Sequence, residues 1–130
     1  MRYLLDTHVA IWTLTEPRRI PASISGLFAA GPGFVLISAV VIWEIAIKYR
    51  LGRADRPPFS GGEAIGHFRT AGFGILNVTA AHAAHVERLP ALHGDPFDRL
   101  MLAQSIVEDM QFVTYDRHLQ RYDAPVLTWS

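Results

Sequence analysis

Short apolar runs alternate with helical stretches from one end of the chain to the other, and this alternation limits the fold more than any other feature. Arg2 to Leu5, Phe34 to Ile37, Phe73 to Val78, Gln111 to Tyr115 and Val126 to Trp129 read as strands. Phe34-Val35-Leu36-Ile37 is apolar at every position, as in a strand covered on both faces. The intervening segments carry helix signals. Val9, Ile11, Trp12 and Leu14 mark the buried side of a first helix that Pro17 ends, and Pro21 opens a short helix through Ala30. Gly31-Pro32-Gly33 reads as a turn. Ser38 is an N-cap for a helix over Ala39 to Leu51, closed by Gly52. A loop over Arg53 to Gly62 precedes a small helix, Glu63 to Thr70. Thr79 caps a helix through Leu89, Asp95 or Asp98 caps one through Glu108, and one or two helical turns follow Asp116. Strands alternating with helices predict an α/β fold, with a mostly parallel sheet of four to five strands and helices on both faces.

With 130 residues the chain has the length of one domain, 1–130, able to bury roughly two thirds of its surface. Half the residues are hydrophobic and 18% are charged, which excludes a disordered chain. The longest apolar run, Phe34 to Trp43, is broken by Ser38 and is too short to span a membrane. Asp6 comes too early for a signal peptide. The absence of cysteine excludes a disulfide scaffold and a thiolate metal site. Together these features imply a soluble cytoplasmic domain. Net charge is zero, so the total charge exerts no strong pull on nucleic acid. Of the twelve basic residues, Lys48 is the only lysine. Arginine favours bidentate phosphate or carboxylate contacts, although a GC-rich coding sequence produces the same bias.

In parallel sheets, ligands bind beyond the carboxyl ends of the strands where strand order switches. Asp6 follows the first strand directly and Asp116 follows the fourth. Glu44 lies two turns into the helix after the second strand, and Asp95 and Asp98 open another helix. Five acids can therefore approach one edge of the sheet. Like charges gathered there raise some pKa values or require a cation. An oxygen-only donor set suits Mg²⁺ or Mn²⁺. Each aspartate also has an ordinary role as a helix cap. Glu44 interrupts an apolar stretch, Val40 to Ile47, and its ordinary role is an i,i+4 pair with Lys48.

Secondary candidates carry weaker signals. His8 reads as a partly exposed helix residue near Asp6. His82 and His85, three apart, lack a third nearby nitrogen or sulfur ligand, which favours a surface or interface role. Trp12, Trp43 and Trp129 read as core or subunit-interface residues rather than base-stacking platforms. Thr7, Ser38 and Thr114 sit next to the acids, with capping as their default.

Four segments in register resemble a known family. Leu4-Leu5-Asp6-Thr7-His8-Val9-Ala10-Ile11-Trp12 resembles the opening motif of PIN-domain toxins of the VapC type. The segment Ser38 to Gly52, with Trp43-Glu44-Ile45-Ala46-Ile47-Lys48, resembles the second motif. His93-Gly94-Asp95-Pro96-Phe97-Asp98-Arg99-Leu100, running to Gln104, resembles the third, and Val113-Thr114-Tyr115-Asp116 the fourth. The resemblance spans essentially the whole chain. It implies a PIN-like three-layer α/β/α fold and a Mg²⁺-dependent ribonuclease, restrained as a toxin by a cognate VapB-type antitoxin. It implies an acidic site of Asp6, Glu44, Asp98 and Asp116, with Asp6, Asp98 and Asp116 as metal ligands and Asp95 as a further ligand or a cap. It places Arg53, Arg56 and Arg99 where RNA phosphates pass, and it implies a homodimer with Trp12 and Phe28 near its face. The antitoxin is then expected to lay a segment across the groove with a basic side chain among the acids.

Three alternatives come from other classes. A haloacid-dehalogenase-like phosphatase expects a second Asp two residues after Asp6, where this chain has His8. A phospho-acceptor receiver domain expects a lysine at a late strand end. A non-catalytic binding module of α/β fold would use the acids only as caps. Nucleotide-binding loops of the Walker or dinucleotide type are absent from the sequence.

Overall fold

The computed structural model describes residues 1–30, 33–91, 94–122 and 124–129. The expected Gly31-Pro32-Gly33 turn lies outside them at Gly31 and Pro32, as does His93 of the third motif. Five short strands form one sheet: β1 (Tyr3–Leu5), β2 (Val35–Ser38), β3 (Gly74–Leu76), β4 (Gln111–Val113) and β5 (Val126–Leu127). Every pairing is parallel, and the order is β3-β2-β1-β4-β5. The chain moves outward from β1 through β2 to β3, then returns past β1 to β4 and β5. Strand order therefore switches between β1 and β4, where ligands of parallel sheets bind. Register places Leu5 opposite both Ile37 and Val113, so the residues that follow β1 and β4 emerge side by side.

Six helices accompany the sheet: α1 (Thr7–Thr15), α2 (Ala22–Ser25), α3 (Ala39–Leu51), α4 (Gly61–Thr70), α5 (Ala80–His85) and α6 (Pro96–Glu108). Their starts follow capping chemistry. Asp6, Ser38, Ser60, Thr79 and Asp95 each accept a backbone N–H of the turn they open. Ser60 forms a reciprocal capping box with Glu63, so α4 begins two residues earlier than the apolar pattern alone indicates. The segment after Pro21 is one α-helical turn that tightens into a 3₁₀ helix over Gly26–Ala30 rather than a continuous helix. Likewise α5 ends at His85 and passes into a 3₁₀ turn, Val86–Arg88. Strands β3 and β5 are shorter than their apolar runs. Each lies on an edge of the sheet, where one neighbour is missing.

The core is built on the central strands. Leu4, Leu5, Ile37, Phe112 and Val113 are fully buried, as are Met101, Leu102 and Ala103 of α6. Tryptophan placement is mixed. Trp12 is buried, whereas Trp43 is 56% exposed with its ring edge against Phe97. Phe28 is half-buried against the core and meets Phe73 edge-on. Trp12 and Phe28 are thus spent mainly on packing within the chain, and Trp12 has little surface left for a subunit interface.

His82 departs from its expected surface role: it is fully buried. Its Nδ1 accepts the Thr79 N–H at 3.0 Å, which leaves Nε2 as the donor to Glu108 Oε2 at 2.7 Å. Gln104 reaches the same Nδ1 at 3.4 Å and accepts the Ser38 hydroxyl at 2.6 Å. This buried network joins the end of β2, the start of α5 and the middle of α6. Among the described residues no helix is long and apolar enough to cross a membrane.

Gly61 sits where α4 crosses α3. A Cβ there would stand 2.9 Å from Ala46 Cβ and 3.2 Å from the Ile42 carbonyl oxygen. Gly61→Val is expected to destabilise the fold by about 1–3 kcal/mol, read as a lowered denaturation midpoint with an unchanged slope.

Candidate active site

The cleft at the β1/β4 switch has a volume of about 590 Å³ and is lined by Asp6, Thr7, His8, Trp12, Arg19, Glu44, Asp95, Asp98, Tyr115 and Asp116. All five acids singled out in the sequence line it. Their route there is set by local structure. Asp6 is both the first residue past β1 and the N-cap of α1, with Oδ1 accepting the Val9 N–H at 2.8 Å. Its Oδ2 accepts a short hydrogen bond from the Thr114 hydroxyl, which lies just past β4. The same Thr114 oxygen accepts the Asp116 N–H at 3.0 Å. Thr114 therefore ties the two strand-end acids together. Asp116 in turn caps the following turn through His118 N–H.

Glu44 reaches the cleft from α3 and is only 7% exposed. Thr7 donates to Oε1 at 2.7 Å, and Lys48 pairs with Oε2 at 2.7 Å. The i,i+4 pair anticipated as its ordinary role is thus present, and Glu44 lines the cleft as well. Asp95 accepts the Phe97 N–H at 2.8 Å and the Asp98 N–H at 3.3 Å, so it is the cap of α6. Asp98 lies in the first turn of that helix. Thr7 and Thr114 orient carboxylates rather than acting only as caps, while Ser38 does cap α3.

Asp6 carries the electrostatic signature of the site. It is 5% exposed, and burial pushes its carboxyl up. Hydrogen bonds from Thr114 and Val9 oppose the rise, and the charges of Glu44 and Asp116 add to it, leaving a pKa of about 6 against 3.8 ordinarily. Burial is the main cause of the rise and no cation is among the groups that shift Asp6, so a bound divalent ion would offset the cost of its charge. The donors are oxygens, which fit a hard divalent ion such as Mg²⁺ or Mn²⁺. Among the described residues no three His, Asp or Glu side chains stand close enough to enclose one ion. Hard ions of this kind are commonly held by one or two carboxylates with several waters, a role to which the oxygen donors of the cleft are suited.

The three arginines expected at the rim occupy different places. Arg56 is exposed, lies over the Tyr49 ring at 5.2 Å and lines a groove beside the cleft with His8, Trp12 and Lys48. Arg53 is exposed on the same loop. Arg99 does not line the cleft. Its guanidinium donates to the carbonyls of Pro90, Val86 and Leu89, pinning the connection between α5 and α6. Sequence reasoning missed Arg19 and Tyr115 as cleft residues. Tyr115 was detectable as the residue between Thr114 and Asp116, at a strand end. Arg19 had no signal, because it reaches the cleft by folding back over the Trp12 ring at 4.1 Å.

A parallel sheet with an acidic, partly buried cleft at its switch point defines a class of α/β proteins whose ligand site lies beyond the carboxyl ends of the central strands. Comparison narrows the class. The PIN-domain family model matches residues 3–125. Ribonuclease VapC22 of Mycobacterium tuberculosis is 33% identical over 97% of both chains. The fold is similar to that in the VapBC2 complex of Rickettsia felis bound to a promoter DNA fragment, with a TM-score of 0.72 and 17% identity over all of both chains. It is likewise similar to DNA-bound VapBC of Salmonella typhimurium, with a TM-score of 0.71 and 16% identity over 100% and 99% of the two chains. The chain belongs to the PIN-domain family, and within it to the VapC ribonucleases.

The raised Asp6 pKa makes stability depend on pH in a definite direction. A carboxyl that binds its proton more tightly when folded favours the folded state fully below pH 3.8, and that contribution is lost as pH rises through about 6. The loss is on the order of 3 kcal/mol at about 1.36 kcal/mol per unit. Urea unfolding in chelator is expected to show Asp6→Asn gaining stability over wild type between pH 4 and pH 7.5. An unchanging difference across that range would contradict the assignment.

Proposed function

We propose that the chain is a divalent-metal-dependent ribonuclease acting in the cytoplasm, the toxin of a toxin–antitoxin pair, which hydrolyses RNA phosphodiester bonds. The observation that carries this reading is the convergence of Asp6, Glu44, Asp98 and Asp116 on one cleft at the switch point, in a member of the VapC ribonucleases.

Asp6 and Asp116, linked through Thr114, would hold the principal ion. Asp98 would complete its surroundings directly or through water, with Asp95 keeping the start of α6 in place. When bound, Mg²⁺ or Mn²⁺ supplies a more acidic water and charge neutralisation at the phosphate. Glu44, fixed by Thr7 and Lys48, would orient the attacking water or help hold a second ion. Burial of Asp6 and Glu44 keeps both carboxylates in fixed positions and limits bulk water around them. Arg53 and Arg56 would contact RNA phosphates beside the cleft. A VapB-type antitoxin would inhibit by covering the cleft with a basic side chain among the acids, and a homodimer is the expected form of the free toxin. The similar structures support such a partner, since they are VapBC complexes and a toxin–antitoxin complex from Klebsiella pneumoniae.

Asp6→Asn and Asp116→Asn are each expected to reduce RNA cleavage roughly 1,000-fold while leaving the circular dichroism spectrum unchanged. Full activity of both variants in magnesium would reject the assignment. Excess EDTA should abolish wild-type cleavage, and added Mg²⁺ or Mn²⁺ should restore it; cleavage persisting in chelator points to a metal-independent nuclease. Thr114→Val keeps every acid in the sequence but removes the hydroxyl that ties Asp6 to Asp116. It is expected to lower cleavage about 10- to 100-fold, with a raised metal requirement.

A further inference from the structure

Beside the acidic cleft lies a second cavity of about 320 Å³, lined by Trp12, Arg18, Arg19, Pro21, Tyr115 and Trp129. Trp12, Arg19 and Tyr115 line both cavities, so the two adjoin. The three aromatic rings meet one another at centroid distances of 5.3 to 6.3 Å and interplanar angles of 54° to 71°. Such edge-on contacts leave ring faces uncovered by one another. Tyr115 is 47% exposed although it lies within a cavity. The Arg19 guanidinium lies 4.1 Å from the Trp12 centroid, and Arg18 is exposed beside it on the turn Pro17–Arg19.

We propose that this cavity is a nucleobase subsite: it receives one unpaired base of the RNA, stacked on the Tyr115–Trp129 aromatic cluster, with Arg18 and Arg19 on the adjoining phosphate. The proposal rests on the ribonuclease reading above and adds how substrate is held. The acidic cleft repels a polyanion, so binding contacts must lie outside the acids. Aromatic faces joined to guanidinium groups have that chemistry, because every base has a π-face and every nucleotide a phosphate. The base must be unpaired, since a base within a duplex has both faces covered by its neighbours. A single-stranded segment or loop is therefore the substrate form this cavity selects. Adjacency to the acids fixes the base near the scissile bond, so the subsite sets where along the strand cleavage falls.

The test uses the full chain carrying Asp6→Asn, to prevent cleavage, and a short single-stranded oligoribonucleotide. One abasic nucleotide is moved along the oligonucleotide, and Kd is read by fluorescence anisotropy. One abasic position is expected to weaken binding about 5- to 150-fold, with the others near neutral. Adding Tyr115→Leu should weaken binding to the intact oligonucleotide by a similar factor and flatten the abasic profile; Tyr115→Phe should restore both. Trp129→Leu, near the end of the chain, should reproduce the flattening if Tyr115→Leu perturbs the fold. A position-dependent profile that survives in a folded Tyr115→Leu or Trp129→Leu chain overturns the subsite. So does unchanged RNA affinity with loss only of binding to a partner protein, which would make the cavity a protein-docking pocket. If the Asp6→Asn chain binds no RNA while the wild type cleaves it, the subsite fails and the ribonuclease reading stands. If the wild type also fails to cleave, both fall.

Discussion

The hydrogen bond from the Thr114 hydroxyl to Asp6 is the constraint on which the rest of the site depends. It joins the residues that follow β1 and β4, the two strands between which sheet order reverses. Each partner has a second obligation. Asp6 opens α1 through the Val9 N–H, and Thr114 takes the Asp116 N–H. One buried contact thus fixes two acids, the direction of a helix and the turn after β4. Its low-dielectric surroundings strengthen the hydrogen bond and at the same time penalise the carboxylate's charge. The first effect orders the site, and the second raises the carboxyl's pKa.

The same tension recurs at Glu44 with a different outcome. Glu44 is nearly as buried as Asp6, yet Thr7 and Lys48 each satisfy one of its oxygens. Asp6 has hydrogen bonds from Thr114 and Val9, but burial outweighs them and raises its carboxyl above the ordinary value. Further from the chemistry, the network of Ser38, Gln104, His82 and Glu108 joins α6 to the end of β2. That connection carries Asp95 and Asp98 to the cleft from the far side, and Arg99 holds the preceding connection in place.

Much of this was legible in the chain. The alternation of apolar runs with capped helices gave the parallel α/β class, because period and capping are local properties. The acids at strand ends were visible because a parallel sheet leaves few places for a functional side chain. The ordinary and functional readings of Glu44 could not be separated by pattern, since both are satisfied together. His82 was misjudged because burial depends on Glu108 and Gln104, more than twenty residues away. Arg99 lies outside the cleft because its guanidinium meets the carbonyls of Pro90, Val86 and Leu89 and the Tyr122 hydroxyl, partners that no local pattern reveals.

The sequence by itself determined the fold class, the order of elements and the identity of the acids, since each follows from short-range periodicity, caps and residue chemistry. The tertiary structure alone decided which polar groups share a cavity, that Thr114 links Asp6 to Asp116, and that Arg19 and Tyr115 join the acidic cleft to an aromatic one. Those outcomes depend on strand order and register, and these are set by contacts between residues distant along the chain, for which a local pattern carries no record.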